Sequence, residues 1–156
     1  MAPELKHHLA RVMIAIRAAE ARPSVAEIAE APILERWRVL ISPQGTPVIW
    51  GQVSGHPRLD DTMISTSRLI ALNQRAGWAR SISRWFRLGK PVAGDGMHGP
   101  PLTTLSQAKR QAHASEFGDF IALDDMGVLR RILADFIARA REEAAAQGIG
   151  GRDGNV

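Results

Sequence analysis

The sequence contains no cysteine. Disulfide frameworks, zinc–thiolate sites, thiol nucleophiles and thiol redox switches are therefore excluded, and the absence suits a reducing compartment. Long apolar runs are missing too, with nothing near the roughly 18 residues that a membrane span needs. The first stretch, MAPELKHHLARVMIAIRAAEARP, interrupts its apolar positions with Glu4, Lys6, Arg11 and Arg17. It thus lacks the apolar block and small-residue cleavage site of a signal peptide. These features predict a cytoplasmic protein with no membrane partner. A third scarcity is local. No acidic residue falls between Asp61 and Asp95, whereas Arg68, Arg75, Arg80, Arg84, Arg87 and Lys90 all do. In a chain of 156 residues with net charge +4, this stretch predicts a positive surface that attracts nucleic acid or an acidic protein.

Catalytic signatures are equally scarce. There is no HExxH, GxSxG, Walker or GxGxxG pattern. The histidines, His7, His8, His56, His98 and His113, are scattered. His7 and His8 are adjacent, so on a helix they diverge by about 100° and do not share a metal ion. Asp60-Asp61 reads as a turn and Asp124-Asp125 as a helix cap rather than as paired metal ligands. No cofactor, metal or enzymatic activity is expected. A remote enzymatic alternative is an RNase-like surface with His56 as acid or base and Arg80 or Arg84 holding phosphate.

What is present organises as helices, then a β-rich middle, then helices. Pro3 opens an amphipathic helix over 3–21, with Leu5, Leu9, Val12, Ile16 and Ala19 at helical spacing and Pro23 ending it. Ser24 and Glu27 form a capping box for a short helix from Val25 to Ala31. Arg36–Ile41 and Pro47–Val53 read as a hairpin around Ser42–Thr46. Met63–Thr66, Leu69–Leu72 and WARSISRWFRLG, which starts at Trp78, also read as strands. Residues 89–102 form a loop rich in Gly and Pro. Thr104 and Gln107 offer a capping box for a helix to about Ser115. Asp124 or Asp125 caps a strong final helix that Gly148 stops. The expectation is a single α+β domain over 1–147: helical at 3–31, β-rich at 36–90 as a small antiparallel sheet or barrel, and helical at 103–147. A disordered tail over 148–156 follows. The expected core draws on Leu9, Ile16, Val39, Ile41, Ile49, Ile82, Leu129, Leu133 and Phe136.

Two stretches carry functional expectations. In RLIALNQRAGWARSISRWFRLGK, arginines interleave with Trp78, Trp85 and Phe86. Arginine would contact phosphates while aromatics stack bases. The competing reading makes the aromatics core and the cations a solvated face. A nucleic-acid or acidic-partner surface would use Arg75, Arg80, Arg84, Arg87 and Lys90. The second stretch is WGQVSGHPRL, in which Gln52-Val53-Ser54 matches the start of peptides that bind the bacterial replication sliding clamp. In such peptides a glutamine amide bonds backbone groups at a subsite rim and apolar residues fill a cleft, with the segment held extended. Gly55 and His56 stand where a Leu-Phe pair is usual, and Leu59 reaches an apolar subsite only if Gly55-His56-Pro57 loops out.

The pattern Gly51-x-Val53-x-Gly55-His56-Pro57, then Thr66-Ser67, then Trp78-Ala79-Arg80-x-x-Ser83-Arg84-Trp85-Phe86-x-Leu88-Gly89 resembles a unit of small alphaproteobacterial proteins. It covers about residues 50–91. By its size, basic balance and the Gln52-Val53-Ser54 peptide, the chain also resembles the toxin family of the SocA/SocB toxin–antitoxin system. That resemblance implies a non-enzymatic toxin that binds the sliding clamp of DNA polymerase III and blocks elongation. It further implies an antitoxin acting as adaptor to the ClpXP protease. The clamp-binding residues would be Gln52, Val53, Ser54 and Leu59.

Overall fold

The computed structural model describes residues 2–55, 62–92 and 120–149. Its elements are α1 (Pro3–Ala21), α2 (Val25–Glu30), β1 (Ile33–Ile41), β2 (Pro47–Ser54), β3 (Thr62–Ser65), β4 (Leu69–Asn73), β5 (Trp78–Ser81), β6 (Trp85–Leu88), β7 (Ile121–Ala122) and α3 (Met126–Gln147). The architecture is α+β, as the sequence predicts. The expected Thr104–Ser115 helix, most of the Gly/Pro loop, Asp60-Asp61, His56, His98, His113 and nearly all of the expected tail lie outside the described residues.

Helix boundaries follow local chemistry. Pro3 occupies the first turn of α1, and Arg22 at φ 68° ends it before Pro23. The α2 capping box forms reciprocally: Glu27 N–H donates to Ser24 Oγ at 3.0 Å and Ser24 N–H to Glu27 Oε1 at 2.9 Å. Asp125 Oδ1 accepts from the amides of Gly127 (2.9 Å) and Val128 (3.1 Å) to start α3. Gly148, in the left-handed region at φ 66°, stops it.

The strand order is β3-β2-β1-β6-β5-β4, with β7 also paired to β1. Most ladders are antiparallel, but β1 runs parallel to β6 through Ile33↔Arg87 and Leu34↔Leu88, so the sheet is mixed. β6 and β7 share one edge of β1: β6 pairs its first residues and β7 its last, Leu40 and Ile41. The sheet must also curl. β3 and β4 stand at opposite ends of the order, yet only Thr66-Ser67-Arg68 separates them in sequence. A flat sheet of that order would place its edges about 24 Å apart, whereas the link spans at most about 14 Å. Thr66 anchors this corner: its N–H donates to Ile49 O (2.9 Å), and its Oγ1 accepts from Ile49 N–H at 3.0 Å.

The concave face of the sheet holds the main core, Leu34, Trp37, Val39, Ile49, Val53, Leu69, Ala79 and Phe86, closed by Leu129 and Leu133 from α3. The convex face of β4–β6 is covered by helices. α1 contributes Val12, Met13, Ala15 and Ile16, which meet Ile70, Ile82 and the later part of α3 at Ala140 and Ala144. Of the expected core residues, Leu9, Ile41 and Phe136 are half-buried rather than fully enclosed. Leu5, placed on the apolar stripe of α1 by spacing, is 58 % exposed, so the packed part of that helix begins at Leu9.

Candidate nucleic-acid interface

The arginine-bearing stretch folds into two successive hairpins, β4–β5 and β5–β6. The second explains a pattern that had no clean apolar face as one strand. A turn at residues 82–84 resets the side-chain parity, giving the register Trp78↔Arg87, Ala79↔Phe86 and Arg80↔Trp85. Ala79 and Phe86 face the main core, while Trp78 and Trp85 pack with Ala31 and Ile28 of the α2 region. The two indoles meet edge to face at 5.3 Å and 86°. All three aromatics are buried, so none offers a stacking face to a base. The sequence pattern allowed base stacking; the fold uses these rings as packing.

The cations fare differently. Arg75, in the β4–β5 turn, and Lys90 are exposed, and Arg80, Arg84 and Arg87 are half-buried. Arg87 Nε–H donates to Ala31 O at 3.1 Å, across the helix–sheet boundary. Arg80 Nε–H donates to Ser81 O at 3.0 Å, and its guanidinium lies 5.1 Å from the Trp85 ring centroid. Desolvation lowers the Arg80 pKa, while the Glu27 carboxylate raises it. Glu27 in turn is held below the ordinary carboxylate value. The Ser24 backbone N–H lowers it most and burial opposes this; the Ser24 hydroxyl, the Trp85 indole and the Arg80 charge lower it further. The Trp85 N–H nevertheless closes no hydrogen bond with acceptable geometry.

Arg75 and Arg84 thus mark opposite ends of the hairpins, with Arg87 and Lys90 nearer the Arg75 end. Ion pairs join Arg38 to Asp124 (2.8 Å) and Arg141 to Glu20. None of the β4–β6 cations takes part in either. Arg68, set just before β4, is also without a carboxylate partner among the described residues. It sits 4.0 Å above the Phe136 ring and donates to Thr46 Oγ1 at 3.1 Å. Desolvation first, and then the nearby Arg139 charge, lower its pKa. Arg139 was not singled out in sequence. The available signal was its position three residues after Phe136, on the same helical face.

The Gln52-Val53-Ser54 peptide lies in β2, an interior strand paired with β1 on one side and β3 on the other (Glu35↔Gln52↔Met63). Gln52 is exposed and Ser54 half-buried, but Val53 is fully enclosed in the main core. The main chain is not a free edge, so only Gln52 is presented without opening β2. Leu59 lies outside the described residues. His7 and His8 are exposed on α1.

Beside β2, β1 carries a bulge between Glu35 and Arg38, with Arg36 at φ 52°. The Gly89–Lys90 segment clamps it: Lys90 N–H donates to Glu35 Oε1 (2.9 Å), Arg36 N–H to Lys90 O (2.7 Å), and Trp37 Nε1–H to Gly89 O (3.0 Å). A shallow cleft of about 130 Å³ lies beyond it, bounded by Trp37, Arg38, Pro91, Val92, Asp124 and Met126. Arg38 and Asp124 neutralise each other there through a two-point contact. No cluster among the described residues could hold a metal ion. No helix among them is long and apolar enough to cross a membrane.

No curated protein and no solved structure matches this chain. A family model does match, over residues 1–153, and the chain accordingly belongs to DUF6634, a family of unknown function.

Proposed function

We propose that this protein is a cytoplasmic, non-enzymatic nucleic-acid-binding protein that holds phosphates with the cations of β4–β6. The observation that carries this reading is that, among the described residues, those cations form no salt bridge, although the Glu27 carboxylate acts on Arg80. Arg68, Arg75, Arg80, Arg84, Arg87 and Lys90 share a stretch without carboxylates and make no ion pair among the described residues. A surface kept in that state favours a polyanion. With Trp78, Trp85 and Phe86 buried, phosphate contacts rather than base stacking supply the affinity, so sequence preference is weak.

Fluorescence anisotropy of labelled single-stranded and duplex oligonucleotides across a salt series tests this. Log affinity should fall linearly with log salt, and Arg75→Ala, Arg84→Ala and Lys90→Ala should each reduce the slope by about 0.7–0.9 where that side chain contacts a phosphate. Flat salt dependence, or no binding at low salt, removes the reading.

A second reading rests on the exposure of Gln52. It is a toxin that occupies the sliding clamp of the replicative polymerase and is delivered to ClpXP by its antitoxin. With Val53 enclosed, this reading requires local opening of β2. Purified clamp should then be captured by the wild type and not by folded Gln52→Ala; equal capture by both sinks it.

A further inference from the structure

The side of the β5–β6 hairpin that lies under α2 carries four side chains of two kinds. Trp78 and Arg80 are two apart on β5, and Trp85 and Arg87 are two apart on β6, so each pair shares a side of its strand. The register sets Trp78 opposite Arg87 and Arg80 opposite Trp85. Each indole thus has an arginine as its cross-strand partner, and the two indoles meet along the diagonal at 5.3 Å. The Arg80 guanidinium lies over Trp85, 5.1 Å from its ring centroid. Alternating indoles and arginines on a two-stranded surface have the composition of a single-strand binding platform, where rings stack bases and guanidinium groups hold phosphates.

The cover over this platform is slight. Trp78 is 8 % exposed and Trp85 7 %, and the side chains packed on them from the helices are Ala18 of α1, Ile28 of α2 and Ala31 just after it. α2 has six residues, none of them buried. A helix that short has little stability of its own, so its undocking belongs to the low-energy local openings of the fold. The docked arrangement also carries a cost. The Trp85 indole N–H is buried and closes no hydrogen bond with acceptable geometry, a cost that opening to water or to a base relieves. Arg87 Nε–H donates to Ala31 O at 3.1 Å, and the Glu27 carboxylate acts on Arg80. Undocking α2 therefore frees both guanidinium groups as it uncovers both rings.

We propose that Trp78, Arg80, Trp85 and Arg87 form a covered binding surface for single-stranded nucleic acid, with α2 as its removable cover. The inference rests on the nucleic-acid reading and adds a second mode to it. With α2 docked, phosphate contacts act alone; with α2 displaced, bases stack on the two indoles. A duplex keeps its bases inside and gains nothing from the uncovered rings. Single strands therefore select the open form, and loosening the cover raises their apparent affinity by enlarging the competent fraction.

The experiment titrates the full chain with labelled oligothymidylate and with a duplex of the same length at one low salt concentration. Acrylamide quenching of tryptophan fluorescence, without nucleic acid, reports the cover directly. Ile28→Ser loosens α2 from a half-buried position, and Val25→Ser, at a position 88 % exposed on the same helix, is the control. Both should keep the fold, since α2 holds no buried residue; Ile28→Ala takes the place of Ile28→Ser if that variant does not fold. Ile28→Ser should raise acrylamide quenching and bind oligothymidylate at least about three-fold more tightly than the wild type. Its duplex affinity should be unchanged, and Val25→Ser should match the wild type throughout. An unaltered oligothymidylate affinity in Ile28→Ser overturns the proposal; if both probes still bind with the expected salt dependence, the nucleic-acid reading survives. An equal gain for the duplex also overturns it, because stacking is then not the cause. Binding of neither probe by any variant removes both readings.

Discussion

Glu27 shows how one side chain can join a helix start to a distant strand. Its carboxylate closes the α2 capping box and lies in the field of Arg80, which covers Trp85. Its folded-state pKa is depressed, so its contribution to stability is present above the ordinary carboxylate value and lost as pH falls through the lower folded value. Tryptophan fluorescence should therefore change in that acid window before global unfolding, and Glu27→Gln should remove the transition. Ser24→Ala should cost about 1 kcal/mol in denaturant unfolding. The Ser24–Glu27 box, the Asp125 cap and the Gly148 stop were legible in sequence because each acts within a few residues of itself. The β1 bulge was not, because the bonds that brace it, Arg36 N–H to Lys90 O, Lys90 N–H to Glu35 Oε1 and Trp37 Nε1–H to Gly89 O, come from a segment about fifty residues away. Gly51 belongs to the same device. A Cβ there would sit 3.1 Å from Glu35 O and 3.2 Å from Trp37 Cα, against backbone that cannot swing aside. Gly51→Ala should destabilise the fold by about 1–3 kcal/mol, measured by chemical denaturation.

At the scale of elements, α3 serves two cores. Leu129 and Leu133 in its first half close the concave face of the sheet, while Ala140 and Ala144 in its second half admit α1 closely. Leu133→Ala should cost about 2–5 kcal/mol. Exchanging Ile14, 58 % exposed on α1, for Ser should cost little by the same measurement. The existence of most strands was legible from β-rich runs between turn residues, and Pro47, Leu69 and Trp78 begin strands where the sequence placed them. Their partners were not legible. Nothing near Ile33 or Leu34 announces a parallel neighbour at Arg87 and Leu88, since that pairing depends on the whole curled arrangement. β7 is too short to carry any periodic signal.

For the whole molecule, charge and topology lead in different directions for the two functional stretches. Of the cations of β4–β6, Arg75 and Lys90 are exposed while Arg80, Arg84 and Arg87 are half-buried, so the basic run in sequence translates only in part into accessible charge. Gln52-Val53-Ser54 looked like an extended ligand, and it is extended, but both its edges are occupied. Hydrogen exchange of the full chain tests the difference. The Val53 amide should exchange only with global unfolding, as expected for an interior strand with a buried side chain. Exchange at the rate of the surface turns would show the local opening that clamp binding needs.

The double occupancy of one edge of β1 also sets a schedule for synthesis. β2 can pair with β1 as soon as their hairpin leaves the ribosome, but the other edge waits until residues 85–88, and then 121–122, have been made. Until then β1 carries unsatisfied backbone groups beside Leu34, Trp37 and Val39, side chains that end up in the core. Such distant partners slow folding and prolong exposure to misassociation. The nascent chain is therefore most vulnerable while its first half is complete and its second half is not.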